Sequence, residues 1–144
     1  MDDHSRNRWT AENGSFTVEL VVLAPVLVLF ALLAVALGRY EMAREQVIGA
    51  ARAAAEAASV AQSPALAQSA ADLAAEPGVE PLGHACAGFS VNTDTSEFRP
   101  SGVVRVTVTC RVDFSDLLVP GIPGFTTVRV VQVVPLDPYR SVQP

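Results

Sequence analysis

The chain has 144 residues, half of them hydrophobic, with 10 basic side chains against 15 acidic ones and a formal charge of −5. That balance argues against nucleic acid as a partner, because neutralising a phosphate backbone needs a basic surface. The length is one ordinary domain's worth, and a long apolar stretch in the first third leaves any soluble domain small.

In chain order, residues 1–14 form a leader or cytoplasmic tail that mixes Asp2, Asp3 and Glu12 with Arg6 and Arg8. Leu20 to Leu37 then reads LVVLAPVLVLFALLAVAL, eighteen residues without a charge. Adding Ser15 to Val18 brings the stretch to the ~20 residues that cross a bilayer. A soluble amphipathic helix would show a polar residue every third or fourth position, and this stretch shows none. The predicted element is a transmembrane helix over 15–38, with Pro25 inside it as a kink. Arg residues flank both ends, so the positive-inside rule does not orient it. A short tail followed by a larger, Cys-bearing region favours the tail inside. Ala34-Val35-Ala36 offers a rival reading as a signal-peptidase site, although the apolar run exceeds the usual ~7–15 residues.

Glu19 stands immediately before the apolar run. A carboxylate there is costly unless it is solvated at the interface or paired, and a helix N-terminus also favours an acid. One reading leaves Glu19 at headgroup level as a marker of the helix start. The other follows from spacing: Gly14, then Ser15, with Glu19 fifth counted from Ser15. This pattern resembles the processing site of type IV prepilins. The resemblance narrows, on Glu12-Asn13-Gly14-Ser15-Phe16-Thr17-Val18-Glu19-Leu20 and the early Ala24-Pro25, to the TadE-like minor pilins (pseudopilins) of the tight-adherence, or Flp, system. It implies that a prepilin peptidase cuts after Gly14 and that Ser15 becomes the mature N-terminus. It also implies that Glu19 pairs with the N-terminal amine of a neighbouring subunit, a pairing that lowers the cost of both charges and sets a packing register. Flp major pilins place Tyr after the Glu, whereas this chain has Leu20, which points to the minor class.

Residues 39–76 are an Ala-rich helical region. Tyr40 to Ala61 has no Pro and many Ala, the strongest helix former, so one helix is expected to run from the membrane to Ala61. Ser63-Pro64 reads as the cap and first-turn Pro of a second helix that ends before Pro77-Gly78. The Ala faces suit either close packing against another helix or a plain spacer. Arg52 and Glu56, four apart, are placed to pair on an exposed side.

Residues 77–144 are expected to form a small extracytoplasmic β-rich domain. Val104, Val106, Val108, Cys110, Val112 and Phe114 alternate with polar residues, the mark of a half-buried strand. A second strand is expected over 125–134, with a change of phase at Val130-Val131 that suggests a bulge. A weaker third runs from Cys86 to Asn92. Pro120-Gly121-Ile122-Pro123-Gly124 joins the two better strands. The fold class is α+β: a long N-terminal transmembrane helix continuing into an Ala-rich helix, then an antiparallel sheet of about three strands. Cys86 and Cys110 read as one disulfide if this region is extracytoplasmic, and as buried thiols otherwise.

No catalytic constellation is visible. His84 sits in a Gly-flanked stretch, His4 in the presumed leader, and two Cys with one His are too few for structural zinc. No enzyme activity, metal, cofactor, small-molecule substrate or nucleic-acid partner is expected. The partners implied by the resemblance are the membrane, other pilin and Tad assembly proteins, and the prepilin peptidase. Three readings stand: a TadE-like minor pilin held in the cell membrane or drawn into a surface pilus; an unprocessed bitopic protein with a disulfide-bonded interaction domain; and a small domain secreted after Ala36.

Overall fold

The computed structural model describes residues 12–116, 121 and 123–139, and the side chains among them from residue 20 onward except at 84 and 85. Its elements are α1 (Glu12–Val60), α2 (Pro64–Val79), a short 3-10 segment (Glu80–Ala85), and strands β1 (Cys86–Asp94), β2 (Val103–Asp113) and β3 (Phe125–Pro135). The strands form one antiparallel sheet in the order β1-β2-β3. The α+β architecture expected from the sequence is the one observed.

α1 is a single helix of 49 residues, about 73 Å long at ~1.5 Å per residue. It starts three residues before Ser15 and passes through Pro25 and Gly38. Its two halves meet different surroundings. From Leu20 to Val35 only Leu32 is better than exposed, with Leu20, Val21, Val22, Leu27 and Phe30 all bare. Beginning at Ala36 one side becomes buried: Ala43, Val47, Ala50, Ala51, Ala54, Ala55 and Ala58 have almost no accessible surface. These positions recur at helical spacing, so they form one broad stripe. The stripe packs on α2 along one flank and on β2 and β3 along the other. The Ala-rich face is therefore a packing surface, not a spacer.

α2 supplies the complementary small face, Ala67, Ala71, Ala75 and Val79, each four residues after the last. Ser63 caps it, its hydroxyl accepting from the Leu66 N–H at 3.3 Å, with Pro64 in the first turn as expected. The expected stop before Pro77-Gly78 is overturned, because the helix runs through both residues to Val79. Close contact explains the glycine: a Cβ on Gly78 would stand 2.9 Å from the Ala50 Cβ and 3.0 Å from its Cα. The Pro-Gly pair thus permits two helices to touch at the backbone.

Bulk comes from the sheet. Val104, Val106, Val108, Cys110, Val112 and Phe114 face the helices as the alternation predicts. The bulge expected at Val130-Val131 is not there: β2 and β3 pair without a shift from Val103↔Pro135 to Asp113↔Phe125. The change of phase is resolved by exposure instead. Val128, Val130 and Val134 point inward with Gln132, while Val131 and Val133 remain on the solvent face, about half exposed. Pairing along eleven residues of β2 outweighs leaving two valines in water.

Replacing Gly78 by Val should destabilise the fold by ~1–3 kcal/mol through overpacking at Ala50. Urea unfolding of the detergent-solubilised chain measures this, and an unchanged midpoint would show that the two helices have room to separate.

Candidate functional site

Two places carry the chemistry expected from the sequence: the N-terminal end of α1 and the base of the sheet. Gly14, Ser15 and Glu19 all lie on the helical backbone of α1, on its first two turns, while their side chains are outside the described residues. Pro25 lies on the same helix, five residues after Leu20 at the start of the apolar stretch. It has no N–H to give to the carbonyl of Val21, so one rung of the helical ladder is missing there.

The two cysteines lie far from these residues, within the folded portion. Cys86 at the start of β1 and Cys110 in β2 are joined by a disulfide, with Cα atoms 5.6 Å apart. A register shift makes this possible. Phe89 pairs with Cys110 and Gly88 with Arg111, but Cys86 pairs with Val112, leaving Ala87 as an extra residue. In unbroken alternation Cys86 would fall on the outer face, opposite to Phe89 and Val91. The extra residue brings it back to the inner face beside Cys110. The sheet's bulge is therefore in β1, where Gly88 follows the cysteine closely, and not in β3.

Around the disulfide lies a cleft of about 490 Å³ between the end of α2 and β1, lined by Glu76, Pro77, Glu80 and Phe89 among others. His84 belongs to the 3-10 segment nearby, with its side chain outside the described residues. The cleft gathers carboxylates and apolar surface. Among the described residues no cluster of three or more His, Cys, Asp and Glu has metal-binding geometry.

The base of the sheet is tied to α1 by an ion pair that sequence reading missed. Arg39 Nη1 donates to both carboxylate oxygens of Asp116, at 2.8 and 2.7 Å. Both groups are substantially exposed, so the pair adds about 1 kcal/mol or less to stability. Its value is positional, because it fixes the segment after β2 against the helix two residues beyond Leu37. Seventy-seven residues separate the partners, too far for any local pattern to announce them. The expected Arg52–Glu56 pairing does not feature among the ion pairs of the described residues; Arg44 reaches Glu41 at 3.7 Å instead, and Arg105 reaches Asp94 at 3.6 Å.

Two turn carboxylates are shifted. The Ser96 N–H at 3.0 Å holds Asp94 below the usual carboxylate range, and the Ser115 N–H at 2.8 Å does the same for Asp113. Both folded values are depressed, so the stabilisation is present at neutral pH and fades as pH falls through the acid range.

Comparison with known families bears on the first of the two places. Residues 14–56 match the family model described as TadE-like protein. This segment is TadE-like. The match starts at Gly14, takes in Glu19, Pro25 and the apolar stretch, and ends within α1. The TadE-like segment is thus one continuous helix, and α2, the sheet and the disulfide lie outside it. No curated protein and no solved structure matches the chain.

Reduction of the disulfide is expected to cost ~3–4 kcal/mol, the chain-entropy value for closing a loop of this length. Thiol labelling of the unreduced, unfolded chain should find no free cysteine. Deleting Ala87 should turn Cys86 outward and leave both thiols reactive; a retained bridge in that variant would show that the bulge is dispensable.

Proposed function

We propose that the chain is a membrane-anchored, minor-pilin-like subunit for assembly of a tight-adherence (Flp) pilus. The observation that carries this reading is that the TadE-like match begins at Gly14 itself, with Glu19 at the fifth position counted from Ser15. On this reading residues 1–14 are a leader, removed by a prepilin peptidase on the cytoplasmic side. Residues 15–38 span the membrane, and Pro25 bends the span where its backbone hydrogen bond is missing. Residues 39–76 carry the span outward as Ala-rich helix, and residues 77–144 complete the extracytoplasmic domain, where oxidation of Cys86 and Cys110 is favoured.

The span is suited to the role. α1 is long and apolar enough to cross a membrane, and its exposed apolar side chains find a partner only in lipid or in other helices. A carboxylate at Glu19 is tolerable in that setting if it meets an ammonium. The new amine of Ser15 on a neighbouring subunit would provide one. The role is structural: the subunit acts by packing with other pilin and Tad assembly proteins, not by turning over a substrate.

N-terminal sequencing and intact mass of the mature protein test the reading. A start at Ser15 is expected, and Gly14→Val should abolish it. An unprocessed chain would favour a bitopic protein with a disulfide-bonded interaction domain, and a start near Leu37 a secreted domain. Glu19→Ala should leave insertion intact and reduce incorporation into fibres; normal piliation in that variant would remove the pairing role.

A further inference from the structure

We infer that the outer face of the sheet, at Arg129, Val131 and Val133, docks on the outward stripe of α2 in a second copy of the chain standing beside it in the same membrane. The inference rests on the reading of α1 as an anchor that packs with other subunits, and it names the surfaces that meet outside the lipid.

The first surface is the side of the sheet turned away from the helices. Across the paired strands its rows are Ser90, Thr109 and Arg129; then Asn92, Thr107 and Val131; then Asp94, Arg105 and Val133. Val131 and Val133 are 45% and 48% exposed. The neighbouring cations are occupied: Arg105 reaches Asp94 at 3.6 Å, and Arg111 stacks on Phe125. Arg129 is exposed and has no ion-pair partner among the described residues.

The second surface is the side of α2 opposite its buried alanines. Leu66, Leu73 and Glu76, continued by Glu80, recur at helical spacing and form one stripe. Leu66 and Leu73 are 53% and 71% exposed. From Ser63 to Glu80 the chain carries three acids and no base. The Gln68 amide donates to Asp72. Glu76 and Glu80, on the wall of the cleft, have no ion-pair partner among the described residues. Each surface therefore offers two exposed aliphatic side chains beside unpaired charge, and the two charges are opposite in sign.

Height above the membrane decides that these surfaces can meet. The Gln68 side chain accepts the Thr93 N–H, and Thr93 pairs with Val106, which pairs with Gln132. Gln68 on α2 and Gln132 on β3 thus mark one level. Measured from it at ~1.5 Å per helical residue, Leu66 lies ~3 Å above, Leu73 ~8 Å below and Glu76 ~12 Å below. At ~3.3 Å per strand residue, Val133 lies ~3 Å above, Val131 ~3 Å below and Arg129 ~10 Å below. The lower direction is the same on both elements: Arg39 meets Asp116 at the foot of the sheet, and Gly78 meets Ala50 on the descending α2. Two upright copies side by side therefore bring apolar against apolar above and Arg129 against Glu76 below, without tilting either span.

The helices cover the inner face of the sheet, so the two surfaces of one chain look away from each other. The contact is heterologous: each copy gives its sheet to one neighbour and its α2 to another, and the arrangement propagates instead of closing as a pair. A helix face ~24 Å long and ~10 Å wide is small for a stable soluble complex. Spans held in one bilayer supply the local concentration that such a patch needs.

The experiment uses the full chain in two differently tagged forms, mixed in liposomes. A photoreactive benzophenone amino acid is placed in turn at Val131, Leu73, Leu29 and Tyr139. The probe at Val131 should cross-link the other copy within Pro64–Val79, and the probe at Leu73 should cross-link it within Phe125–Pro135, as mapped by peptide mass spectrometry. Tyr139, 96% exposed, should give the collision background. Arg129→Glu alone, or Glu76→Arg with Glu80→Arg, should lower both adducts about tenfold by turning attraction into repulsion. Mixing these two variants should restore the adducts, because the reversed charges attract again; thermal unfolding of each variant checks that its fold is kept. Raising salt should weaken the same adducts and spare those from Leu29 between spans. Adducts from Leu29 with only background from Val131 and Leu73 would leave the packed spans standing and refute the docking. Background yields from all the probes would remove the subunit reading and the docking together. A Val131 probe that maps to β3 of the other copy would make the contact sheet to sheet, and would overturn the inference.

Discussion

The structure depends on the close approach of α1 to everything that packs on it. A helix that is apolar and exposed on all sides becomes, without interruption, a helix with one nearly flat side. The switch happens between Val35 and Ala43, where exposed Leu, Val and Phe give way to buried Ala. Small side chains let α2 lie against α1 at backbone distance, as Gly78 does at Ala50. They also leave room for the valines of β2, which with Val47 and Cys110 are the largest fully buried side chains among the described residues. Larger residues along the stripe would push α2 and the sheet apart and strand their apolar faces in water. The folded portion is thus built around the second half of a rod whose first half is long and apolar enough to cross a membrane, so motion of the apolar half is motion of the domain's core.

A core made largely of alanine buries little area per residue, and hydrophobic stabilisation scales with that area. The disulfide compensates in part by constraining the unfolded chain. It stitches the edge strand β1 to the central strand β2, at the end of β1 where the bulge interrupts the ladder. Gln68 assists at the other end: its side chain accepts the Thr93 N–H at 3.1 Å and donates to Asp72 at 2.9 Å, tying α2 to β1. The edge strand is therefore fastened at both ends, by a covalent bond below and a hydrogen-bonded amide above.

Much of this was legible in the residues. A run of eighteen apolar positions, the alternation of Val104 to Phe114 and the Ser63-Pro64 cap each follow from local physics, and each element formed where expected. The Gly14, Ser15 and Glu19 spacing was likewise local, and the TadE-like match covers it. What escaped was set by contacts distant in sequence. Pro77-Gly78 looks like a helix stop until Ala50 is known to press on it. Val130-Val131 looks like a bulge until the unbroken pairing with β2 is counted. The true bulge at Ala87 is invisible until the register of β1 against β2 is known, and the Arg39–Asp116 pair joins residues that no periodicity relates.

The central claim is that α1 crosses from lipid into the domain core as one helix, with no hinge at Gly38. Solid-state NMR of the chain in phospholipid bilayers addresses it directly, through the ¹³Cα shifts of Val35 to Ala43. The account predicts helical shifts at every one of these residues, with backbone order at Gly38 and Arg39 equal to that of their neighbours. Random-coil shifts or a drop in order between Leu37 and Tyr40 would contradict it, and would make the span and the folded portion two bodies on a flexible joint.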